Sequence, residues 1–234
     1  MCFHTKLTKK EKELEERFKA VFDNNVLYDI KFHSNGFDSS KQYLILNNQI
    51  NLINESTWGL KPTEHFEDDF ERKYNTLNAK SETIFDKQLF QDAILKRRCL
   101  ILSDGFYESK RVNNKSFPFL IQLKNKQSFA FAGIYNYTIQ GELTCSILTT
   151  SANNFMENIH NTKKRMPLIL DPETEFNWLE DLNDSEIKQL IKNGFIKEEL
   201  IAHPVSKDVI NSRIDSNHMG IVNEVYYQEL DTLF

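Results

Sequence analysis

Glycine, proline and cysteine are all scarce in this sequence: seven, five and three residues among 234. So few chain breakers leave no room for long linkers or low-complexity tracts, and no internal repeat is present. Three cysteines, an odd number, provide no disulfide framework. There is no GxGxxG, no Walker A loop, no HExxH and no paired CxxC, which removes the common nucleotide-binding, zinc-protease and zinc-ribbon readings. No metal and no other cofactor is expected. No apolar run approaches the ~18 residues a membrane span needs. The start, MCFHTKLTKKEKE, lacks the apolar h-region of a signal peptide, so the expectation is a soluble cytoplasmic chain. What is abundant is apolar: 40% of residues are hydrophobic and 12% aromatic, with 18 Phe, enough for one sizeable core in a single domain.

Net charge is −5, which by itself argues against a polyanionic partner. The charge is segregated, however. Eight basic and two acidic residues lie between Lys96 and Lys126, and a second basic cluster is Lys163-Lys164-Arg165. Acidic residues collect at Glu64–Glu71 and at Asp171–Glu186. Affinity for a nucleic acid follows the local field, so a basic face on an acidic protein is compatible with that partner; a merely solvated surface is equally compatible.

The pattern of residues predicts mixed structure. Leu14, Phe18, Val21 and Phe22 recur at helical spacing, predicting a helix over Thr8–Phe22 with Thr8 and Glu11 as a capping box. Short strands and loops are expected over 26–57, a short helix over Thr63–Phe70, an irregular segment over Asn78–Thr83, and a helix over Asp86–Lys96. Cys99–Leu102 reads as a buried strand. Phe117–Leu123, Phe129–Tyr137 and Leu143–Thr149 carry the clearest strand signal and are read as a three-stranded meander. Thr149-Thr150-Ser151 is expected to cap a short helix ending near Ile159, Met166–Leu170 to be a strand and Glu173–Glu180 a helix. A last helix opens at Asn183 with Glu186 and ends at Gly194. Hairpin-connected strands with helices at the margins indicate α+β.

Chemistry collects at a few polar positions. Removal of Met1 would leave Cys2 as a 1,2-aminothiol, with an α-amine (pKa about 7.7–8.0) and a thiol (about 8.5) on adjacent carbons. An aldehyde condenses with such an amine to an imine, and the thiol closes a five-membered thiazolidine. A cysteine at position 2 is, taken alone, more often incidental. Cys99 and Cys145 sit in apolar runs and read as core residues. Glu108 follows a buried strand and a turn, where a desolvated carboxylate exchanges protons, although a surface acid facing Lys110 or Arg111 fits as well. His160 ends a short helix, where protonation is favoured, suiting it to acid catalysis; a helix-capping role fits too. Asn78 offers an amide that holds an amine or hydroxyl without titrating.

The contexts of these residues, in order, match one family. Cys2, Trp58-Gly59-Leu60 with Pro62, and Asn78-Ala79-Lys80-Ser81-Glu82-Thr83 lead to Arg97-Arg98-Cys99-Leu100-Ile101 and Asp104-Gly105-Phe106-Tyr107-Glu108. Ala132-Gly133-Ile134-Tyr135, Thr149-Thr150, Ile159-His160-Asn161, Arg165-Met166-Pro167-Leu168-Ile169-Leu170 and His203-Pro204-Val205-Ser206-Lys207 complete the set. Over residues 2–210 the sequence resembles the SRAP (SOS-response-associated peptidase) family of abasic-site-processing proteins. The resemblance implies a single α+β domain over 2–234 with a β-rich, antiparallel, barrel-like core flanked by short helices. It also implies a charged cleft for single-stranded DNA containing abasic sites, to which Cys2 becomes covalently linked as a thiazolidine. In that scheme Cys2 is the nucleophile, Asn78 holds the amine and sugar, Glu108 shuttles protons, and His160 protonates the sugar oxygen. The peptidase label concerns removal of the residue ahead of Cys2. A monomer working in the DNA damage response, nucleoid-associated through DNA, is expected.

Departures from the family pattern shape the DNA-contact expectations. Phe3 and His4 stand where the family continues Gly-Arg, and Lys80 stands where it commonly has Arg. His4, Lys80, Arg98 and Arg165 are the expected phosphate contacts, with Trp58 as a stacking surface. Two other readings stay open: an N-terminal-nucleophile cysteine hydrolase or peptidase, and a non-catalytic binder of single strands or modified bases.

Overall fold

Residues 2–64, 75–193 and 196–233 are described by the structure, a computed structural model. In chain order the first half contains β1 (His4–Leu7), α1 (Glu11–Phe18), β2 (Val21–Phe22), β3 (Lys31–Asn35), β4 (Lys41–Leu46), β5 (Gln49–Trp58) and β6 (Asn78–Lys80). There follow α2 (Gln88–Lys96), β7 (Arg98–Ser103), β8 (Gly105–Val112), β9 (Lys115–Leu123), β10 (Phe129–Tyr137) and β11 (Leu143–Ser151). The last elements are α3 (Asn154–Ile159), β12 (Arg165–Pro167), α4 (Asp184–Asn193) and β13 (Leu200–Pro204), with short 3-10 turns around them.

The near-continuous apolar runs become strands buried on both faces, and the period-2 alternation of side chains sorts their residues between two cores. Tyr43 and Ile45, Leu100 and Leu102, and Ala130 and Ala132 enter one cluster, with Leu14, Phe18, Phe90 and Trp178 from the helices and turns. Leu44 and Leu46, Cys99 and Ile101, and Phe129 and Phe131 enter the other, with Phe106 and Ile121 from a second sheet.

Strands β11, β10, β7, β4 and β5 lie side by side in that order, and β5 returns to β11, pairing Thr57 with Thr144 and Trp58 with Cys145. That last pairing closes the sheet into a barrel, with β12 and β6 added on β11 and β2 on β5. The second sheet is antiparallel, in the order β13-β9-β8-β1-β3. The fold is therefore α+β with a β-rich, mostly antiparallel core and short helices, as the sequence indicates. Gly133 of β10 marks a point of close packing: a Cβ there would lie 2.6 Å from Ile101 Cδ1 and 2.8 Å from Cys99 Sγ.

Several elements differ from expectation. The meander is not one: β10 and β11 form a hairpin, but β9 pairs with β8 and β13 in the other sheet. Its true partner β8 is joined to it through Asn113 and Asn114, both at positive φ (47° and 63°), the geometry of a tight hairpin turn. The helix expected over Thr8–Phe22 is shorter, because Thr8 donates to Asp104, Lys19 turns left-handed (φ 51°), and Val21-Phe22 pair with β5. Asn78–Lys80 is a strand, Asn153 rather than 149–151 caps α3, and Glu175–Leu179 is a 3-10 turn. The capping box at Asn183 and Glu186 is present. The helix expected over Thr63–Phe70, the stop at Gly194 and the state of Met1 fall on residues outside those described.

Candidate active site

The pairing of β1 with β8 decides where the start of the chain lies. His4 is opposite Tyr107 and Thr5 opposite Phe106, so the chain at Phe3 and Cys2 runs on past Glu108 in the middle of β8. Gly36 N–H donates to Phe3 O at 2.9 Å and pins the segment on its other edge. Cys2 is fully buried in the cluster between the two sheets. Its Sγ is 3.7 Å from His4 O, and its own carbonyl accepts from Asn78 Nδ2 at 2.8 Å. Asn78 reaches it from β6, which is held by parallel pairing to Ile147–Thr149 of β11. Asn78 Oδ1 is buried and accepts no hydrogen bond from the described residues, which leaves an acceptor beside Cys2.

Glu108 and His160 complete the cluster. His160 stands at the C-terminal end of α3, with Nδ1 donating to Arg165 O at 2.9 Å and 3.7 Å from Glu108 Oε2. Since a carbonyl only accepts, Nδ1 carries the proton and a neutral ring has its lone pair on Nε2. Both side chains line a cavity of about 280 Å³ with Phe3, His4 and Pro118. Four residues from widely separated segments thus meet at one place: Cys2, Asn78, Glu108 and His160.

Burial sets the protonation states. It raises the Glu108 carboxyl to about 7, so this group both holds and releases a proton at neutral pH. It lowers His160 to about 4, the reverse of the easy protonation expected at a helix end; desolvation outweighs the carbonyl dipoles there. The Cys2 thiol is pushed well up by burial and by the adjacent Glu108 charge, and is protonated at neutral pH. Among the described residues no group of three or more His, Cys, Asp or Glu is placed to hold a metal ion, and no helix is long and apolar enough to cross a membrane.

Residues 1–212 match the family model described as SOS response associated peptidase (SRAP). The chain belongs to the SRAP family. It is 37% identical over 168 residues to the abasic site processing protein YoqW of Bacillus subtilis, covering 69% of this chain and 72% of that one. It is 31% identical over 213 residues to the abasic site processing protein HMCES of Xenopus tropicalis, covering 80% of this chain and 60% of that one. A crystal structure of a Bacteroides thetaiotaomicron protein superposes with a TM-score of 0.84 at 29% identity, covering 96% of this chain and 100% of the other.

The DNA contacts expected of this SRAP chain are placed less uniformly. Lys80 is exposed, two residues from Asn78. Arg165 lies near the surface but is engaged, with Nη1 2.5 Å from Glu82 and Nη2 2.7 Å from Thr149 O. Arg98 is not a phosphate contact here: it is 1% exposed, and its guanidinium donates to the carbonyls of Ile94, Leu95, Trp178 and Glu180. Trp58 offers no stacking face, being 2% exposed with Nε1 on Leu77 O, because the closure of β5 onto β11 carries it inside. His4 is held neutral, lowered to about 3 by burial and by His33, whose Nε2 is 2.9 Å from His4 Nδ1. It therefore does not replace an arginine. Two cations that were not among the expected DNA contacts do line the cavity, Arg111 and Lys163. The only signal for them was their membership of the basic clusters flanking Glu108 and His160.

Proposed function

We propose that this protein acts on abasic sites in single-stranded DNA by forming a covalent thiazolidine with Cys2 once Met1 has been removed. The observation that carries this reading is the hydrogen bond from Asn78 to the Cys2 carbonyl, within a cluster that also holds Glu108 and His160. The lesion's hemiacetal opens to an aldehyde. The Cys2 amine attacks C1′ and water leaves as the imine forms. The S–H then adds across the C=N bond, sulfur to carbon and proton to nitrogen, with net loss of one water. Asn78 Oδ1 is an acceptor for the attacking amine. Glu108, near neutrality in its buried setting, takes the amine's proton and returns it to the departing hydroxyl. His160 is neutral in the free protein, and a phosphodiester brought beside it would favour the imidazolium needed to protonate the sugar oxygen. Imines hydrolyse; the carbon–sulfur bond traps the product, and only an N-terminal cysteine supplies it. Shielding the lesion from strand cleavage follows from that trapped state.

The hydrolase alternative requires a thiolate that attacks first, and the raised Cys2 thiol speaks against it. In the thiazolidine route the amine attacks first and the thiol adds while protonated. Removal of Met1, whether by an aminopeptidase or by this site, is part of the proposal and accords with the peptidase label of the family. The test is a denaturing gel after incubation with an abasic-site oligonucleotide. The processed wild type gives a heat-stable shifted band. Cys2→Ala, or a chain that retains Met1, gives none. Absence of the band with processed wild type would sink the proposal, and a band that survives Cys2→Ala would assign the chemistry to another residue.

A further inference from the structure

The site is poorer in cations than its sequence suggests. Arg98 is spent on backbone carbonyls, His4 is neutral, and Arg165 faces Glu82 at 2.5 Å. Other members of the basic clusters are also matched by carboxylates: Arg97 by Asp92 at 2.5 Å, Lys115 by Glu229 at 2.9 Å, Lys124 by Glu199 at 2.8 Å and Lys164 by Glu157 at 3.5 Å. Arg111 and Lys163 differ. Both are exposed, both line the cavity that Glu108 and His160 border, and neither makes an ion pair with a described residue.

Their placement is fixed by the backbone. Arg111 lies three residues beyond Glu108 on β8, and Lys163 three residues beyond His160. Asn161 joins the two segments, accepting from Arg111 N at 3.0 Å through Oδ1 and donating to Arg111 O at 2.8 Å through Nδ2. This two-sided bond holds the loop after α3 against the edge of β8, so both cations stay at one mouth. Long basic side chains above a cavity with apolar walls (Phe3, Pro118, Val209) form a site for an anion attached to an uncharged body.

We propose that Arg111 and Lys163 form a phosphate clamp, holding the phosphodiester that flanks the reacting sugar and replacing the cations buried or neutralised elsewhere in this chain. The clamp rests on the reading that a DNA strand enters this cavity. It gives the strand a defined path, across the β8–Asn161 junction and over Glu108.

The test uses the full processed chain and a labelled single-stranded oligonucleotide carrying one tetrahydrofuran abasic analogue. The analogue has no aldehyde, so only non-covalent binding is read. Each phosphate contact on a single strand contributes about −0.7 to the slope of log K against log salt. Arg111→Gln and Lys163→Gln are each expected to bring the slope about 0.7 closer to zero and to weaken low-salt binding by roughly fivefold. Arg111→Lys retains the slope, and Lys12→Gln on α1, an exposed control, leaves slope and affinity unchanged. A double variant Arg111→Gln/Lys163→Gln with wild-type slope and affinity overturns the clamp, as does an equal loss in the Lys12 control. The adduct assay with a natural abasic site separates the two readings. Wild type without an adduct counts against the thiazolidine whatever the slopes are; an adduct with unchanged slopes counts against the clamp alone.

Discussion

Glu108 and His160 are neighbours whose proton affinities burial drives in opposite directions, and each leaves a signature on stability. Glu108 binds its proton more tightly folded (about 7) than at its ordinary 4.5. Its contribution is thus fully present below pH 4.5 and lost as pH rises through 7, a swing on the order of 3 kcal/mol at most. Glu108→Gln is expected to raise the melting temperature at pH 8 relative to wild type while leaving it unchanged at pH 4; equal shifts at both pH values would contradict the raised carboxyl. His160 has the other sign. Its folded value of about 4 lies below its ordinary 6.5, so its contribution is present above pH 6.5 and disappears as pH falls through 4. His160→Gln should flatten the loss of stability over that interval, which thermal melts across pH 4–6.5 would reveal. Arg98 belongs to the same scale. Its replacement by Ala leaves four carbonyls without their donor, two of them in the buried residues Ile94 and Trp178, so a loss of roughly 3 kcal/mol is expected in urea titrations, with the salt slope of DNA binding by the folded protein unchanged.

At the scale of elements, the site depends on two strand pairings that look unremarkable in sequence. The β1–β8 register brings Cys2 to Glu108, and the parallel β6–β11 pairing brings Asn78 to Cys2. Both rest on a barrel wall in which Gly133 admits Ile101 and Cys99 at distances no Cβ tolerates. Gly133→Ala is expected to cost about 1–3 kcal/mol by overpacking. Because Cys99 and Ile101 also contact the cluster containing Cys2, adduct yield should fall with stability. Chemical denaturation and the gel assay on one preparation would test this, and an unchanged midpoint would be inconsistent with the close packing. The β8–β9 turn behaves oppositely. Asn113 and Asn114 occupy left-handed backbone, so Asn114→Gly is tolerated or stabilising by up to about 1 kcal/mol.

For the whole molecule, the segment beyond the family match is part of the structure. Residues 213–233 follow the 1–212 match, yet Asn217 Oδ1 accepts from the backbone N–H groups of Phe32 and His33, Ser216 bonds His33, and Ile221 is buried with Tyr107, Leu120, Val205 and Val209. Tyr107 immediately precedes Glu108 on β8. Deleting 213–234 is therefore expected to lower the melting temperature by several degrees and to reduce adduct formation. Calorimetry and the gel assay measure the two effects, and a truncated chain with unchanged melting would show that the segment is only draped on the surface.

The family, the α+β class and the four residues of the cluster were legible in the chain because each is carried by local sequence: an ordered series of short motifs, alternating apolar runs, and polar residues where strands and helices end. Strand partners were not legible. β9 and β10 have the same alternation, and nothing in that alternation says that one faces β8 across the second sheet while the other enters the barrel. The sign of a proton affinity was not legible either. His160 has the sequence context of an easily charged histidine, but charge is governed by how much water the surrounding fold removes. The same holds for Arg98 and Trp58, whose residue types suggest phosphate and base contacts and whose burial assigns them to the interior. Residue chemistry is local and can be read along the chain; solvent exposure, partner and dielectric are collective, and only closure of the barrel against the second sheet decides them.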